Sequence, residues 1–145
     1  RIPMKEMFAR VWKLELYRMQ ENQLQLAMDC QMGEVWMDAD LMESLLVNLL
    51  DNAVKASKPG SEIELKAWDN TILVRDHGKG IPEEEISRVT EAFYMVDKSR
   101  SKKAGGIGLG LAICQRIAQI HGARLSIEST LGEGTSVYVI FEGGQ

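Results

Sequence analysis

The stretch from Glu62 to Arg75 limits the possible folds more than any other part of the chain. Ile63, Leu65 and Ala67 alternate with Glu62, Glu64 and Lys66, the period of a strand with one apolar and one polar face. Asp69-Asn70 then makes a tight turn into a second strand, Thr71 to Arg75. Before this hairpin, Ile2-Pro3 leads into a helix reaching about Glu21, with Met4, Met7, Phe8, Val11, Leu14 and Leu16 on its apolar side. Leu24, Leu26 and Met28 alternate as a strand does, and Glu34 to Met37 is placed to pair with it across Gln31-Met32-Gly33. Asp38 caps a second helix from about Ala39 to Lys55, closed by Ser57, Lys58, Pro59 and Gly60. Beyond the hairpin, Glu83 to Glu85 opens a third helix toward Phe93, an acidic start that the helix dipole favours. Periodicity fades from Met95 to Gly108, which reads as a mobile loop. Leu109 to His121 is a helix ended by Gly122, and strands near Leu125 to Glu128 and Ser136 to Phe141 follow. Without strict βαβ alternation, the pattern predicts an α+β sandwich of one sheet and one helical layer.

The 145 residues, 45% hydrophobic and 26% charged, suit one domain spanning 1–145 that folds without staples. Seventeen basic against twenty-one acidic residues argue against nucleic acid as a partner. Cys30 and Cys114 form no CxxC pair and no metal cluster, so they read as reduced packing thiols of a cytosolic protein. No apolar run approaches the roughly 18 residues of a membrane span.

Four further segments carry chemistry. In the second helix Asn48, Asn52 and Lys55 fall at i, i+4 and i+7, so two amides and an ammonium share one stripe, opposite Leu46, Leu50, Ala53 and Val54. Amide oxygens suit a hard cation such as magnesium and a lysine suits a phosphate, although a solvated helix face would look the same. Asp76-His77-Gly78-Lys79-Gly80 holds a carboxylate at a strand end, where it can accept from the exocyclic amine of adenine while glycines admit a flat ring; a simple turn is the plainer reading. Lys98, Arg100, Lys102 and Lys103 precede Gly105, Gly106, Gly108 and Gly110, and those glycines open a helix, a combination made for phosphates. Neither the P-loop spacing nor a strand-led GxGxxG is present. Gly132-Glu133-Gly134-Thr135 joins the last two strands and alone reads as a hairpin turn.

In this order the segments resemble the catalytic domain of sensor histidine kinases, in the superfamily that includes type II topoisomerase ATPases, mismatch-repair ATPases and a heat-shock chaperone. The match runs through Asn48 to Lys55, Asp76 to Gly80, Phe93-Tyr94 with Asp97 to Arg100, Gly106 to Gly110 with Leu111, and Gly132 to Thr135. The resemblance implies a Bergerat ATP-binding sandwich, a mixed, mostly antiparallel sheet of about five strands covered by about three helices, with residues from Phe93 to Gly108 as a mobile ATP lid. It implies Asn52, helped by Asn48, as the ligands of Mg2+. Lys55 would meet phosphate, and Asp76 would read adenine beside Gly78, Gly80 and Ile81. Phe93, Gly106, Gly108, Leu109, Gly110, Leu111 and Thr135 would complete the ATP site, and Lys98 and Arg100 would join Asn48 and Lys55 in catalysis. The expected partners are a histidine-bearing dimerisation domain outside this chain and the receiver domain of a response regulator; the expected parent is a homodimer, any membrane anchor of which lies outside this chain, with this domain in the cytoplasm.

Three departures modify that picture. Ala56 stands where relatives often carry an aromatic residue over the adenine, which predicts weaker nucleotide affinity. Met95 stands where many relatives have an arginine near the γ-phosphate, leaving Lys98 or Arg100 as substitutes. Neither His77 nor His121 has the acidic neighbour and downstream proline of a phosphoacceptor; His121, before Gly122, reads as a C-terminal cap and dipole partner. The topoisomerase-like branch has a glutamate general base at position 48, and an amide cannot take that proton, so free hydrolysis should be slow. Two alternatives stay open, a serine-directed kinase of the anti-sigma-factor type and a catalytically weak nucleotide-binding module.

Overall fold

A computed structural model describes residues 1–88 and 107–142, with residues 87–88 and 107–110 described by backbone alone. Along the chain run β1 (Ile2–Pro3), α1 (Met4–Glu21), β2 (Gln25–Cys30), β3 (Glu34–Val35), α2 (Ala39–Ala56), β4 (Glu62–Trp68) and β5 (Thr71–Asp76). A 3-10 segment (Glu83–Arg88), α3 (Ile107–Ile120), β6 (Ala123–Thr130) and β7 (Gly134–Phe141) complete the order. The main sheet is β2-β4-β5-β7-β6, parallel only between β2 and β4 and antiparallel elsewhere. It is an open α+β sandwich, with three α-helices among the described residues, as the sequence predicts.

Alternation explains which side the helices cover. Ile63, Leu65, Ala67, Ile72, Val74, Val137 and Val139 are buried with Leu45, Leu46, Leu49 and Leu50 of α2 in one core. Each of the valine, leucine and isoleucine side chains contributes about 1.5–3 kcal/mol of burial. The other sheet face is polar and centres on Glu64, with Lys66 Nζ at 3.0 Å, Arg75 Nη1 at 3.6 Å and His77 Nε2 at 3.7 Å. The Lys66 hydrogen bond, opposed by partial burial and assisted by those charges, holds the Glu64 carboxyl below its usual range.

Local signals set several boundaries as expected. Asp38 Oδ1 accepts from Leu41 N–H at 3.0 Å and caps α2. Asp69 takes φ +49° in the β4–β5 turn, and Asn70 Nδ2 anchors that turn to Phe141 O at 2.9 Å. Gly122, at φ +70°, ends α3. Cys114 is fully buried, its Sγ 3.6 Å from Leu45 O, and burial pushes its thiol up to about 12, so it packs as an inert apolar group.

Three expectations are corrected. The Glu34–Met37 stretch does not pair with β2; Glu34–Val35 pairs with Ile2–Pro3 instead. β2 runs on beside β4, where Gln31 N–H still reaches Ala67 O at 2.7 Å, and the chain then turns away to bury Met32 and Val35 in the core. Leu14 was expected on the apolar side of α1 but is 52% exposed, whereas Glu15 is 4% exposed. The buried stripe of α1 is Met4, Met7, Phe8, Val11, Glu15 and Met19, a helical spacing in which position 15 faces inward although it carries an acid. The expected Glu83–Phe93 helix is a 3-10 segment over Glu83–Arg88, and the remainder lies outside the described residues.

Glu15 faces Asp51 of α2, and Glu15 Oε1 is buried without a hydrogen-bond donor. Arg18 Nη1 lies 3.3 Å from Asp51 Oδ1. Burial first, then the charge of Asp51 and a hydrogen bond to it, push the Glu15 carboxyl up to about 7, against the charge of Arg18. A carboxyl raised on folding stabilises fully below its unfolded value and loses that contribution as pH rises through the folded value. Stability from this pair should therefore fall between about pH 4.5 and 7. Glu15→Gln keeps a donor at every pH, so urea titrations should find it roughly 1–3 kcal/mol more stable than the parent at pH 8, and nearly equal at pH 5. An unchanged difference across that range would exclude the shared proton.

Candidate functional site

Three polar side chains lie in one row across the helix-facing side of the sheet, beyond the last apolar row. Asp76 of β5 is in register with Thr135 of β7, which is in register with Ser129 of β6. Asp76 is 6% exposed, and its Oδ1 accepts from Gly78 N–H at 2.9 Å. Burial is the largest influence and raises its pKa, while hydrogen bonds from the Gly78 and Thr135 backbones and the charge of His77 pull it back only in part. Ser129 Oγ accepts from Ile81 N–H at 2.7 Å, donates to Gly134 O at 2.9 Å and lies 2.8 Å from Thr135 Oγ1. It thus binds the turn after β5 to the β6–β7 hairpin. Sequence reasoning missed Ser129; the signal was its place at the end of the inward series Leu125, Ile127.

The glycines bring these pieces together. A Cβ on Gly78 would lie 2.1 Å from Ala56 O, at the end of α2, and one on Gly80 (φ +75°) would lie 2.2 Å from Thr130 O. One on Gly134 would lie 2.2 Å from Asp76 O. Protein backbone lies where each of these Cβ atoms would stand, so the glycines allow turn, helix end and hairpin to pack closely. Lys79 N–H to Ala56 O at 3.2 Å and Gly132 N–H to Lys79 O at 2.7 Å close the same junction.

α2 carries Asn48, Asn52 and the exposed Lys55 along one stripe. Asn48 Nδ2 donates to Ser44 O at 2.7 Å and lies 3.2 Å from Ser44 Oγ, which leaves its Oδ1 to accept or coordinate. Asn52 Nδ2 is buried with no hydrogen-bond partner. A buried amide without a protein partner costs about 1–3 kcal/mol, which makes it a group reserved for something else. This chemistry fits Mg2+ with phosphates: a neutral amide oxygen for the ion and an unspent amide beside it. Among the described residues no group of three or more His, Cys, Asp or Glu side chains could hold a metal alone.

Of the other predicted residues, Leu111 is buried in the core at 4% exposure, and Gly108, Leu109 and Gly110 lie in the first turn of α3, which begins at Ile107. Phe93, Met95, Lys98, Arg100 and Gly106 lie outside the described residues. A cavity of about 670 Å³ at the opposite end of the sheet, lined by Asp69, Asn70, Arg124 and Phe141 among others, contains none of the predicted site residues.

The histidines are committed elsewhere. His77 is directed to Glu64 on the polar sheet face. His121 is 7% exposed; its Nδ1 donates to Ile117 O at 2.9 Å and its Nε2 accepts from Asp38 N–H at 3.0 Å. It caps α3 as expected. It also ties the end of α3 to the start of α2.

Residues 37–144 match the family described as histidine kinase-, DNA gyrase B-, and HSP90-like ATPase, and the chain belongs to that family. Within it, this is an ATPase domain of the sensor histidine kinase type. Sensor protein SrrB of Staphylococcus aureus (strain NCTC 8325 / PS 47) is 38% identical over 131 residues, covering 85% of this chain and 22% of its own length. The chain therefore spans about a fifth of that relative. The mycobacterial sensor histidine kinase MprB superposes with a TM-score of 0.81 at 26% identity, over 97% of this chain and 94% of that one. The fold is also shared with full-length ShkA in complex with AMPPNP, at TM-score 0.77 and 24% identity over 99% of this chain and 31% of that one. No helix among the described residues is long and apolar enough to cross a membrane.

Proposed function

We propose that this domain binds Mg-ATP between α2 and the Asp76 end of the sheet, and donates the γ-phosphoryl group to a histidine on a separate dimerisation domain. Two observations carry this reading, a buried, backbone-held carboxylate (Asp76) and a buried, unpartnered amide (Asn52) on a helix whose end packs against the turn after β5, in a chain of the kinase family. Asp76 accepts from the adenine amine. When bound, Mg2+ would supply positive charge beside the phosphates. Asn48 and Asn52 supply neutral oxygens for the ion, and Lys55 supplies a positive charge to the phosphates.

The acceptor nitrogen attacks phosphorus in line as the bond to the β-phosphate oxygen breaks, and ADP leaves. Asn48 cannot take a proton from water, so the nucleotide waits for the histidine. Lys98 and Arg100 stabilise charge on the transferring group. The phosphoryl group then passes to the receiver domain of a separate response regulator, and this domain is a cytoplasmic part of the two-component sensor.

The test incubates the domain and Mg-ATP with the detached histidine-bearing hairpin of its parent protein. Acid-labile phosphate should accumulate on the hairpin, with negligible phosphate release when the hairpin is omitted. Acid-stable phosphoserine on a partner, or steady release of phosphate by the domain alone, would contradict the histidine reading.

A further inference from the structure

The hydrogen bonds at Ser129 specify more than a structural tie. A hydroxyl has one proton to give and two lone pairs to fill. Ile81 N–H fills one lone pair of Ser129 Oγ, and Gly134 O, which can only accept, takes its proton. The remaining lone pair faces Thr135 Oγ1 at 2.8 Å, so the Thr135 proton points to Ser129. The opposite assignment would withdraw the Ser129 proton from Gly134 O and leave the Thr135 proton unassigned. With its proton committed, Thr135 Oγ1 offers only lone pairs to anything beside Asp76, its neighbour in the row.

We propose that Ser129 is a specificity-determining residue: by holding the Thr135 proton it makes the base-reading end of the site acceptor-only, which favours an aminopurine over an oxopurine. The proposal rests on the ATP reading above. The amine at C6 of adenine donates to both acceptors. Guanine presents a carbonyl oxygen at the same ring position and would face acceptors with an acceptor, leaving buried polar groups unmatched. Ser129 acts through Thr135 and is a positioning residue, with no contact of its own to the base required.

The test measures ADP and GDP affinities by calorimetry for the parent chain, Ser129→Ala, Thr135→Val and the double variant. The parent should prefer ADP by roughly 100-fold or more. Ser129→Ala frees the Thr135 proton to turn toward the base, so the preference should shrink to about 10-fold or less. A loss of packing alone would weaken both nucleotides and leave their ratio unchanged. In the Thr135→Val background, adding Ser129→Ala should change the ratio no further, because the proton it controls is gone. An unchanged ratio in Ser129→Ala, or a further drop in the double variant, overturns the proposal. Should Ser129→Ala not fold, Thr135→Val alone must narrow the ratio, and a ratio equal to the parent's overturns it. Failure of the parent to bind ADP would instead overturn the ATP reading.

Discussion

Asp76→Ala is expected to weaken ADP and ATP equally, by roughly 100-fold or more, as measured by calorimetry at neutral pH. The carboxylate is 6% exposed, and the Gly78 and Thr135 backbone N–H groups are both directed at it. Alanine removes the acceptor for the base and leaves those two buried donors unmatched, each at a cost of about 1–3 kcal/mol. Folding stability should therefore fall along with binding, which makes Asp76→Asn the sharper comparison. It keeps the shape and one carbonyl acceptor, so it should fold better than the alanine variant and still bind more weakly than the parent. Because the loss concerns the base, Mg2+ should not change its size. A variant that bound ADP like the parent would remove Asp76 from the site.

Asn52→Ala should separate binding from stability in the opposite way. Its amide nitrogen is buried without a partner, so no protein hydrogen bond is lost with it. Removing an unmatched buried polar group is close to neutral for folding, within about 1 kcal/mol, with a small cavity offsetting the relief. Mg-ATP affinity should nevertheless drop by roughly 100-fold, whereas ADP measured with the metal chelated should bind almost as it does to the parent. Chemical denaturation and calorimetry on the same preparation check both halves. Equal losses with and without Mg2+ would assign Asn52 to the nucleotide rather than the ion.

The features legible in the sequence share a physical origin, namely signals that act within a few residues. Asp38 as a cap and Pro59-Gly60 as a stop bracket α2, and the spacing of Asn48, Asn52 and Lys55 then places them on one stripe whatever the tertiary structure. The β4–β5 hairpin is equally local, with alternation on either side of Asp69-Asn70. What was missed depends on distant partners. The parallel pairing of β2 with β4 spans the whole of α2, and nothing within β2 announces it. Glu15 carries the composition of a surface position while its spacing with Val11 and Met19 turns it inward, and only the arrival of Asp51 gives it a partner for a shared proton. Gly78 and Gly80 were visible as glycines, but that the carbonyls of Ala56 and Thr130 occupy their missing Cβ positions is a fact of packing. Ser129 was overlooked for the same reason, since its three partners come from the turn after β5 and from the start of β7.

A crystal structure of the chain with Mg2+ and a non-hydrolysable ATP analogue will locate the nucleotide and the ion. The base should lie against Asp76 and Thr135, with its amine donating to the carboxylate, and the ion should touch the amide oxygen of Asn52. An analogue seated in the cavity at the Asp69 and Phe141 end of the sheet, with Asp76 and Asn52 untouched, would contradict the proposed site.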